Sequence, residues 1–288
     1  MSMFFNIIKK SYTILRQNLI ILQPFILFML IMTIVLGSFG NIDKGMSPAV
    51  VLLFISCFCL IAAFLAGWYP LFVKAIQNSY NASATPEEKA YMSFSTLKEF
   101  LPGVGKYFWS VLGGMVLYIA IIILLSKLSL ILGMKFIGLS DNILPDKILN
   151  ALSDQKTLEN FIKNLSVSEQ LQLIKWDILI LSTSAIFSYL TMFWFQSIII
   201  NSENPIKAFG SNLKALFAKP FVTFSLFLFY WITNMLAGIL AGLGNNFLFQ
   251  LFNLFIMIFL TAYFIMVNFV YFEDYNENNS PRRSDSFR

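Results

Sequence analysis

The residue types that carry most enzyme chemistry are scarce in this sequence. The chain of 288 residues contains no histidine, which excludes histidine-based acid–base catalysis and histidine metal sites. Cys57 and Cys59 are its only cysteines, and their spacing within an apolar run is too tight for an ordinary disulfide. Walker A, dinucleotide-binding, nucleophile-elbow and zinc motifs are missing from the sequence as well. We therefore expect a protein that is not an enzyme and that uses neither a cofactor nor a metal ion.

Polar residues inside apolar tracts are the remaining candidates for a functional site. Placed on helices, several of them fall close to common lines along the helix axis. They are Asp177, Ser184, Ser188 and Thr191 in one tract, Asn234 in another, and Gln250, Asn253, Thr261 and Asn268 in the last. Such side chains can line a polar cavity or ligand site, or they can form hydrogen bonds between packed helices. Packing is the preferred interpretation and a lined cavity is the alternative.

The elements that must position these side chains are apolar tracts of membrane length. Hydrophobic residues make up 58% of the chain and charged residues only 12%, about half of the usual share in a soluble domain. A charge at the bilayer centre costs at least about 2.5 kcal/mol, so tracts of about 20 residues without ionisable groups mark the membrane spans. The spans predicted in this way are 18–37, 49–74, 107–126, 177–200, 220–241 and 247–271. We expect an all-α polytopic membrane protein with six transmembrane helices in a single membrane domain over residues 1–272.

The distribution of lysine and arginine predicts the orientation in the membrane. With the N-terminus inside, thirteen of these residues lie in the inner segments and seven in the outer ones. Six of the outer seven belong to the long segment 127–176, and long segments count little in the positive-inside rule. Both termini are therefore expected in the cytoplasm. The net charge of +5 is interpreted as this orientation signal, and no binding of nucleic acid is expected.

Short amphipathic segments precede the first, third and fifth predicted spans. They cover residues 6–18, 95–106 and 204–219, where basic residues alternate with aromatic and aliphatic ones. Their cations are Lys9, Lys10, Arg16, Lys98, Lys106, Lys207, Lys214 and Lys219. Helices of this kind lie in the headgroup layer, with the apolar side toward the membrane and the cations toward anionic lipid. An interfacial lead-in is the preferred interpretation, a docking surface for a cytoplasmic partner is the alternative, and the arrangement suggests a threefold pseudo-repeat.

The segments between and after the spans carry weaker signals. Residues 127–176 contain amphipathic stretches and the capping-box spacing Ser166-x-x-Glu169, which predict a small helical cap on the outer side. The inner segment 75–95 is expected to be a polar turn. Residues 273–288 are poor in apolar side chains and are expected to form a disordered cytoplasmic tail.

Small residues at i, i+4 spacing mark places where helices pack closely. Ala63-x-x-x-Gly67 lies in the second predicted span and Gly238-x-x-x-Gly242 in the fifth. In lipid, close approach of two backbones at such residues drives helix association. The motif fits packing within one chain and between two copies of it, so a homo-oligomer stays an alternative.

The amphipathic segment from Asn204 to Pro220, which leads into an aromatic-rich helix, supports a family resemblance. The chain resembles uncharacterised bacterial six-helix membrane proteins, similar to the membrane domain attached to some glycerophosphodiester phosphodiesterases. The resemblance covers most of the chain in topology. It implies no catalytic residues, because the sequence contains no phosphodiesterase domain.

Two functions are compatible with these patterns. The preferred hypothesis is a non-enzymatic protein of the bacterial inner membrane that binds lipid or partner proteins as an accessory or scaffold. The alternative is a transporter or channel for a small or amphiphilic molecule, with a polar path lined by the fourth to sixth helices. Convergence of the polar residues on one open cavity favours transport, whereas hydrogen bonds across tight helix contacts favour the scaffold.

Overall fold

The computed structural model describes residues 2–39, 48–80, 86–140, 147, 150, 155–201, 204–242, 244 and 246–279. Helices account for nearly all of this part of the chain, and it contains no β-strand. The helices are α1 (Ser2–Gln17), α2 (Leu22–Phe39), α3 (Pro48–Ser79), α4 (Pro86–Leu97), α5 (Phe100–Phe136), α6 (Gln155–Asn164), α7 (Val167–Leu190), α8 (Trp194–Asn201), α9 (Pro205–Ala218), α10 (Pro220–Gly242) and α11 (Phe247–Asn279). The predicted all-α class is confirmed.

Six stretches of helix are long and apolar enough to cross a membrane, by length and composition. They are Leu19–Gly37, Val50–Ser79, Tyr91–Phe136, Val167–Asn201, Pro220–Gly242 and Leu248–Glu277. Each predicted span overlaps one of them, as expected for a polytopic membrane protein. Helix α5 continues past the predicted end at residue 126, although Lys127 and Lys135 lie in the extension. Lysine side chains near a helix end can reach the headgroup layer, so they need not terminate a span.

The chain divides into two compact units, whereas the sequence predicted a single membrane domain. The first unit consists of Met1–Met115 and Thr191–Arg288, and the second of Val116–Leu190. Helix α5 contributes its first part to one unit and its second part to the other.

The core of the first unit lies where α3, α8 and α11 meet α1 and α9. Its largest fully buried side chains include Trp68, Phe72, Trp194, Phe269 and Tyr271. The rings of Phe72 and Phe269 stack with their centroids 5.8 Å apart. In contrast, α2, α10 and the first half of α11 expose many large apolar side chains, as helices that face lipid do. The densest packing therefore lies beside the two amphipathic helices.

The amphipathic helices α1 and α9 each bury one side in protein, although Phe5, Ile206 and Phe217 stay exposed. The buried positions are Ile7, Ser11, Ile14 and Leu15 in α1, and Ala208, Asn212, Ala215 and Leu216 in α9. Each buried position of α9 follows its counterpart in α1 by 201 residues, which supports the pseudo-repeat for these two segments. Tyr263 of α11 also donates a hydrogen bond to the carbonyl oxygen of Ile8 at 3.1 Å. Protein thus covers part of these two helices, and the expectation that their apolar sides lie toward the membrane stays a prediction.

The remaining lead-in segment, 95–106, is divided between two helices. Helix α4 ends before Lys98 and α5 begins after Glu99, whose backbone N–H donates to the carbonyl oxygen of Thr96 at 3.1 Å. The prediction of a polar turn over 75–95 is wrong for most of that segment, because α3 extends into it and α4 occupies its second half. A proline followed by two glutamates is a helix-start signal, and it explains where α4 begins.

In the second unit, the end of α5 packs against α7. The indole ring of Trp176 lies over Gly133 and leaves no room for a Cβ there. Ser129 Oγ donates a hydrogen bond to Thr183 Oγ1 at 3.0 Å. Gly138 has a φ of +76°, the left-handed region that glycine favours after a helix end, and its carbonyl oxygen accepts a hydrogen bond from Trp176 Nε1 at 2.9 Å.

The predicted capping box stands at the start of α7. The backbone N–H of Ser166 donates to Glu169 Oε2 at 2.8 Å, and the backbone N–H of Glu169 donates to Ser166 Oγ at 3.4 Å. Helix α6 precedes this capping box. Of the predicted outer helical cap over residues 127–176, the first residues belong to α5 and the last to α7. Residues 141–146, 148–149 and 151–154 of the cap lie outside the described residues.

Helix α11 continues well beyond the last predicted span. It ends at Asn279, so the expectation of a disordered tail is wrong for residues 273–279. The side chain of Asn276 donates a hydrogen bond to Asn201 Oδ1 at 3.3 Å, and such polar contacts hold the end of the helix without apolar burial. Residues 280–288 of the predicted tail lie outside the described residues.

Helices α3 and α5 approach each other closely at two glycines. A Cβ at Gly67 would lie 2.9 Å from a backbone oxygen of α5, and a Cβ at Gly103 would lie 2.9 Å from the carbonyl oxygen of Ala66 and 2.8 Å from Pro70 Cγ. The structure thus places Gly67 of the predicted small-residue pair at a helix contact, with Ala63 half-buried one turn before it. Its partner glycine in α5 was not predicted.

The second small-residue pair makes no such contact in the described part of the chain. Gly238 and Gly242 are exposed, and a Cβ built at either one meets nothing within 4 Å. The sequence left open whether this motif packs within one chain or between two copies. Packing within the chain is not seen at these two glycines.

Replacing Gly103 by alanine should lower the free energy of unfolding by about 1–3 kcal/mol, because the new Cβ would overlap the carbonyl oxygen of Ala66. Gly105→Ala is the matched control on the same helix, since a Cβ there meets nothing within 4 Å. That substitution should leave stability unchanged or raise it by up to about 1 kcal/mol. Thermal unfolding of the purified chain in a single detergent measures both variants. Equal unfolding midpoints would contradict the close contact.

Candidate functional site

In the second unit, the predicted polar line lies on an exposed side of α7. Asp177, Ser184 and Ser188 are all exposed. The hydroxyl that reaches α5 is instead that of Thr183, which accepts the hydrogen bond from Ser129 and donates its own to the carbonyl oxygen one turn earlier at 2.8 Å. Adjacent residues of a helix point about 100° apart, so a prediction that is off by one position selects the wrong face.

A shallow cavity of about 230 Å³ lies at the end of the second unit. It is lined by Ile137, Ser140, Ser168, Glu169, Gln172 and Lys175. Ser140 Oγ donates to Glu169 Oε1 and Gln172 Nε2 donates to the carbonyl oxygen of Ile137, both at 3.1 Å. These hydrogen bonds hold the end of α5 against α7. None of the residues predicted as site residues lines this cavity.

The first unit contains an interruption in the fourth apolar stretch. Helices α7 and α8 are separated by the turn Thr191–Phe193, in which Thr191 is buried. The carbonyl oxygen of Met192 accepts a hydrogen bond from Asn268 Nδ2 at 3.2 Å, and the backbone N–H of Phe193 donates to Asn212 Oδ1 at 2.9 Å. Side chains of α9 and α11 thus bond to backbone groups that the interrupted helix leaves free.

The two amides at this turn are buried and belong to a wider network. Asn212 has no exposed surface, and Asn268 is only 9% exposed. Asn268 Oδ1 accepts a hydrogen bond from Tyr230 OH at 2.7 Å, and Trp194 Nε1 donates to the carbonyl oxygen of Pro205 at 2.7 Å. We name as the amide clamp the set Met192, Phe193, Asn212, Tyr230 and Asn268. Because its members bond to one another, the clamp fixes the positions of α8, α9, α10 and α11.

The other predicted polar residues of the first unit lie elsewhere. Asn253 is buried, Gln250 and Asn234 are exposed, and Thr261 Oγ1 donates to the carbonyl oxygen one turn earlier at 2.7 Å. Of the residues predicted from the apolar tracts of this unit, Asn268 therefore belongs to the amide clamp. Thr191 lies in the turn that the clamp holds.

The clamp bonds through the side chains of Asn212, Tyr230 and Asn268, of which the sequence predicted only Asn268. Asn212 occupies one of the four buried positions of α9, so an amide on the apolar face of an amphipathic helix is the signal that identifies it. Tyr230 offers no comparable signal, because aromatic residues make up 17% of the chain and one more in a span is not distinctive.

The first unit exposes most of the predicted lead-in cations. The exposed ones are Lys9, Arg16, Lys98, Lys106, Lys207 and Lys214. Large exposed side chains such as Tyr12, Trp109 and Phe217 lie near them along the same helices. Lys106 Nζ also lies 4.9 Å from the centroid of the Tyr107 ring. Cations mixed with aromatic residues are typical of the layer between hydrocarbon and water.

Lys10 and Lys219, the other two cations, have partners within the protein. Lys10 Nζ lies 2.9 Å from Asp274 Oδ1 and 3.3 Å from Tyr80 OH, and Lys219 Nζ lies 3.3 Å from Met3 Sδ. Burial lowers the pKa of Lys10, but the hydrogen bonds and charges of Asp274 and Tyr80 raise that pKa above its ordinary value of 10.5. This ion pair ties α1 to the end of α11.

Comparison with protein-family models, with curated proteins and with solved structures gives no match. The resemblance to the membrane domain of glycerophosphodiester phosphodiesterases therefore stays a prediction from topology. The class of the protein follows from its own helices, which form an all-α membrane architecture with six candidate spans.

Removal of either amide of the clamp should destabilise the turn at residues 191–193. Asn212→Ala leaves the N–H of Phe193 without its acceptor, and Asn268→Ala leaves the carbonyl oxygen of Met192 without its donor. A lost partner of a buried polar group costs about 1–3 kcal/mol. Hydrogen exchange of the purified chain should become faster at residues 192–194, and the unfolding temperature should fall.

Gln250→Ala is the matched control for the clamp variants, because it removes an exposed amide from the same helix as Asn268. It should change neither the exchange rate nor the unfolding temperature. If Asn212→Ala and Asn268→Ala behave like this control, the clamp does not stabilise the turn.

Loss of the Lys10 ammonium should weaken the attachment of α1. Lys10→Met is expected to lower stability by up to about 1 kcal/mol at pH 7, since the ion pair is partly exposed. The folded-state pKa of Lys10 is raised, so its contribution is complete below pH 10.5 and disappears as the pH rises through the folded value. Thermal unfolding between pH 7 and about pH 11 measures this difference. An equal loss in Lys9→Met, or a difference that does not narrow toward the alkaline end, would refute the assignment.

Proposed function

We propose that this chain is a non-enzymatic membrane protein that binds anionic lipid through the basic ends of its helices and serves as an accessory or scaffold for other membrane proteins. The proposal places it in the inner membrane of a bacterium with both termini in the cytoplasm. One observation carries it: Lys9 and Arg16 of α1 and Lys207 and Lys214 of α9 are exposed, while another side of each helix is buried in protein. Because these helices are packed against the rest of the protein, the backbone positions of the four cations are fixed.

The spacing of these cations supports binding to a charged surface. Lys9 and Arg16 lie seven residues apart on α1, and Lys207 and Lys214 lie seven residues apart on α9. Seven residues are close to two helical turns, so each pair lies on one side of its helix with about 10 Å between its members. Each helix therefore presents two cations along one line.

The energetics of lipid binding agree with this arrangement. A lysine or arginine near an anionic leaflet contributes about 1 kcal/mol, and the contribution falls off within the screening length of the salt solution. A cation on a packed helix loses little conformational entropy on binding, because its backbone is already fixed. Four such cations on two packed helices support a clear preference for anionic over zwitterionic lipid.

The rival function, transport, draws on the interruption in the fourth apolar stretch. Discontinuous helices are common at the substrate sites of transporters. In this chain the backbone groups at the interruption are bonded to the buried amides of Asn212 and Asn268. Backbone groups that are bonded to side chains of the protein are not available to a substrate. The interruption therefore favours a structural role, which supports the scaffold over the transporter.

Lipid selectivity of the full chain in vesicles tests the proposal. Spin-labelled phosphatidylglycerol and phosphatidylcholine report the relative affinity of the two lipids for the protein surface. Wild-type protein should prefer phosphatidylglycerol, and the combined variant with Lys9, Arg16, Lys207 and Lys214 changed to glutamine should lose this preference by at least about fivefold. Higher salt should weaken the wild-type preference in the same direction.

The matched control removes four exposed cations from the second unit instead, by changing Lys127, Lys135, Lys156 and Lys163 to glutamine. This control should keep most of the preference for phosphatidylglycerol. Equal selectivity in the wild type and the first variant would overturn the lipid-binding proposal. Solute flux through the same vesicles, abolished by Asn268→Ala, would favour the transporter.

A further inference from the structure

We propose that α10 forms a symmetric contact with α10 of a second copy of this chain, centred on Asn234. The starting observation is that the Asn234 side chain is exposed, and no hydrogen bond from the described residues reaches it. The neighbouring side chains Trp231 and Met235 are largely apolar and exposed as well. A primary amide therefore stands alone on an apolar surface.

The amide lies deep within the candidate membrane span. Helix α10 has 23 residues from Pro220 to Gly242, and none of them is an aspartate, glutamate, lysine or arginine. At 1.5 Å per residue, Asn234 lies about 21 Å from the first residue and about 12 Å from the last. This position is within the hydrocarbon core, where no water is present to bond to an exposed polar group.

Among the described residues, no group of α10 bonds to this side chain. The hydroxyls of Ser225, which is exposed, and of Thr233, which is half-buried, donate to carbonyl oxygens one turn earlier in α10, each at 2.7 Å. An asparagine carries an acceptor oxygen as well as donors, and the N–H groups of a helix interior are already used in helical hydrogen bonds. The Asn234 carbonyl oxygen therefore needs a donor from another helix.

The residues after Asn234 allow another helix to approach. Gly238 and Gly242 lie one and two turns further along, and neither has a neighbour within 4 Å of its would-be Cβ. Gly238 lies in the helix interior, where a glycine costs about 1 kcal/mol relative to alanine, and no contact with the described residues accounts for this cost. These glycines do not carry the proposal by themselves, but they permit close backbone contact beside the amide.

A second copy is the partner that best matches this surface. Two copies inserted in the same orientation are related by a twofold axis along the membrane normal, so each residue near the axis faces its own copy. An asparagine donates and accepts, and it can therefore pair with another asparagine. Because the span has no charged residue, two identical faces meet without charge repulsion.

Energy transfer between labelled copies of the full chain in vesicles tests the proposal. Donor and acceptor are attached at the C-terminus, and the protein-to-lipid ratio is varied to obtain an association constant. Asn234→Leu should weaken association by about 3- to 20-fold, the range for hydrogen bonds between membrane helices. Gly238→Leu should also weaken it, because the larger side chain separates the backbones. Asn234→Gln should retain most of it, and Ser225→Ala is the control with unchanged association.

A cysteine cross-link provides an independent measurement on the same protein. In a background with Cys57→Ser and Cys59→Ser, the Asn234→Cys variant should form a disulfide between two copies. Ile232→Cys, an exposed position about 160° away around the same helix, should not. Energy transfer no greater than that of randomly mixed monomers, or wild-type association in both Asn234→Leu and Gly238→Leu, would overturn the proposal. Neither result bears on lipid selectivity, which depends on the basic residues.

Discussion

A backbone polar group in hydrocarbon must find its partner within the protein, and this constraint explains the unusual features of the first unit. Continuous helices meet the constraint by their own hydrogen bonds, whereas interrupted ones do not. At the turn between α7 and α8, Asn212 and Asn268 supply the missing partners. At the junction of α1 and α2, Trp68 Nε1 donates to the carbonyl oxygen of Ile21 at 2.8 Å and has the same effect.

The same constraint separates polar residues that stabilise the fold from those that are available to a ligand. The amide clamp uses its members' donors and acceptors within one buried network. Lys9, Arg16, Lys207 and Lys214, in contrast, are exposed on helices whose other side is buried in protein. The buried polar side chains therefore bond within the protein, whereas the exposed cations are accessible to lipid or to another protein. This division is why the exposed basic ends, and not the polar residues of the spans, carry the proposed function.

The spans could be predicted from the sequence because they depend on composition alone. A tract without ionisable residues is recognisable without knowing any neighbour, and the capping box at Ser166 is equally local. Partners in the clamp and at Gly103 depend on which helices meet, which a single sequence does not encode in any local pattern. The faces of α1 and α9 were predicted as amphipathic, but whether lipid or protein covers an apolar face is decided by tertiary packing. The end of α11 also depends on tertiary contacts. Polar contacts such as that of Asn276 extend the helix beyond the apolar residues from which its end was predicted.

The amide clamp also bears on how the chain is assembled during translation. Met192 and Phe193 leave the ribosome before Asn212, and Asn268 follows only with the final helix. Until that helix has been inserted, the turn has to shelter its free backbone groups in the translocon or among waters. The last helix to be synthesised therefore supplies a hydrogen bond to the turn in the fourth apolar stretch. In a nascent chain that stops short of residue 268, the carbonyl oxygen of Met192 still lacks this donor.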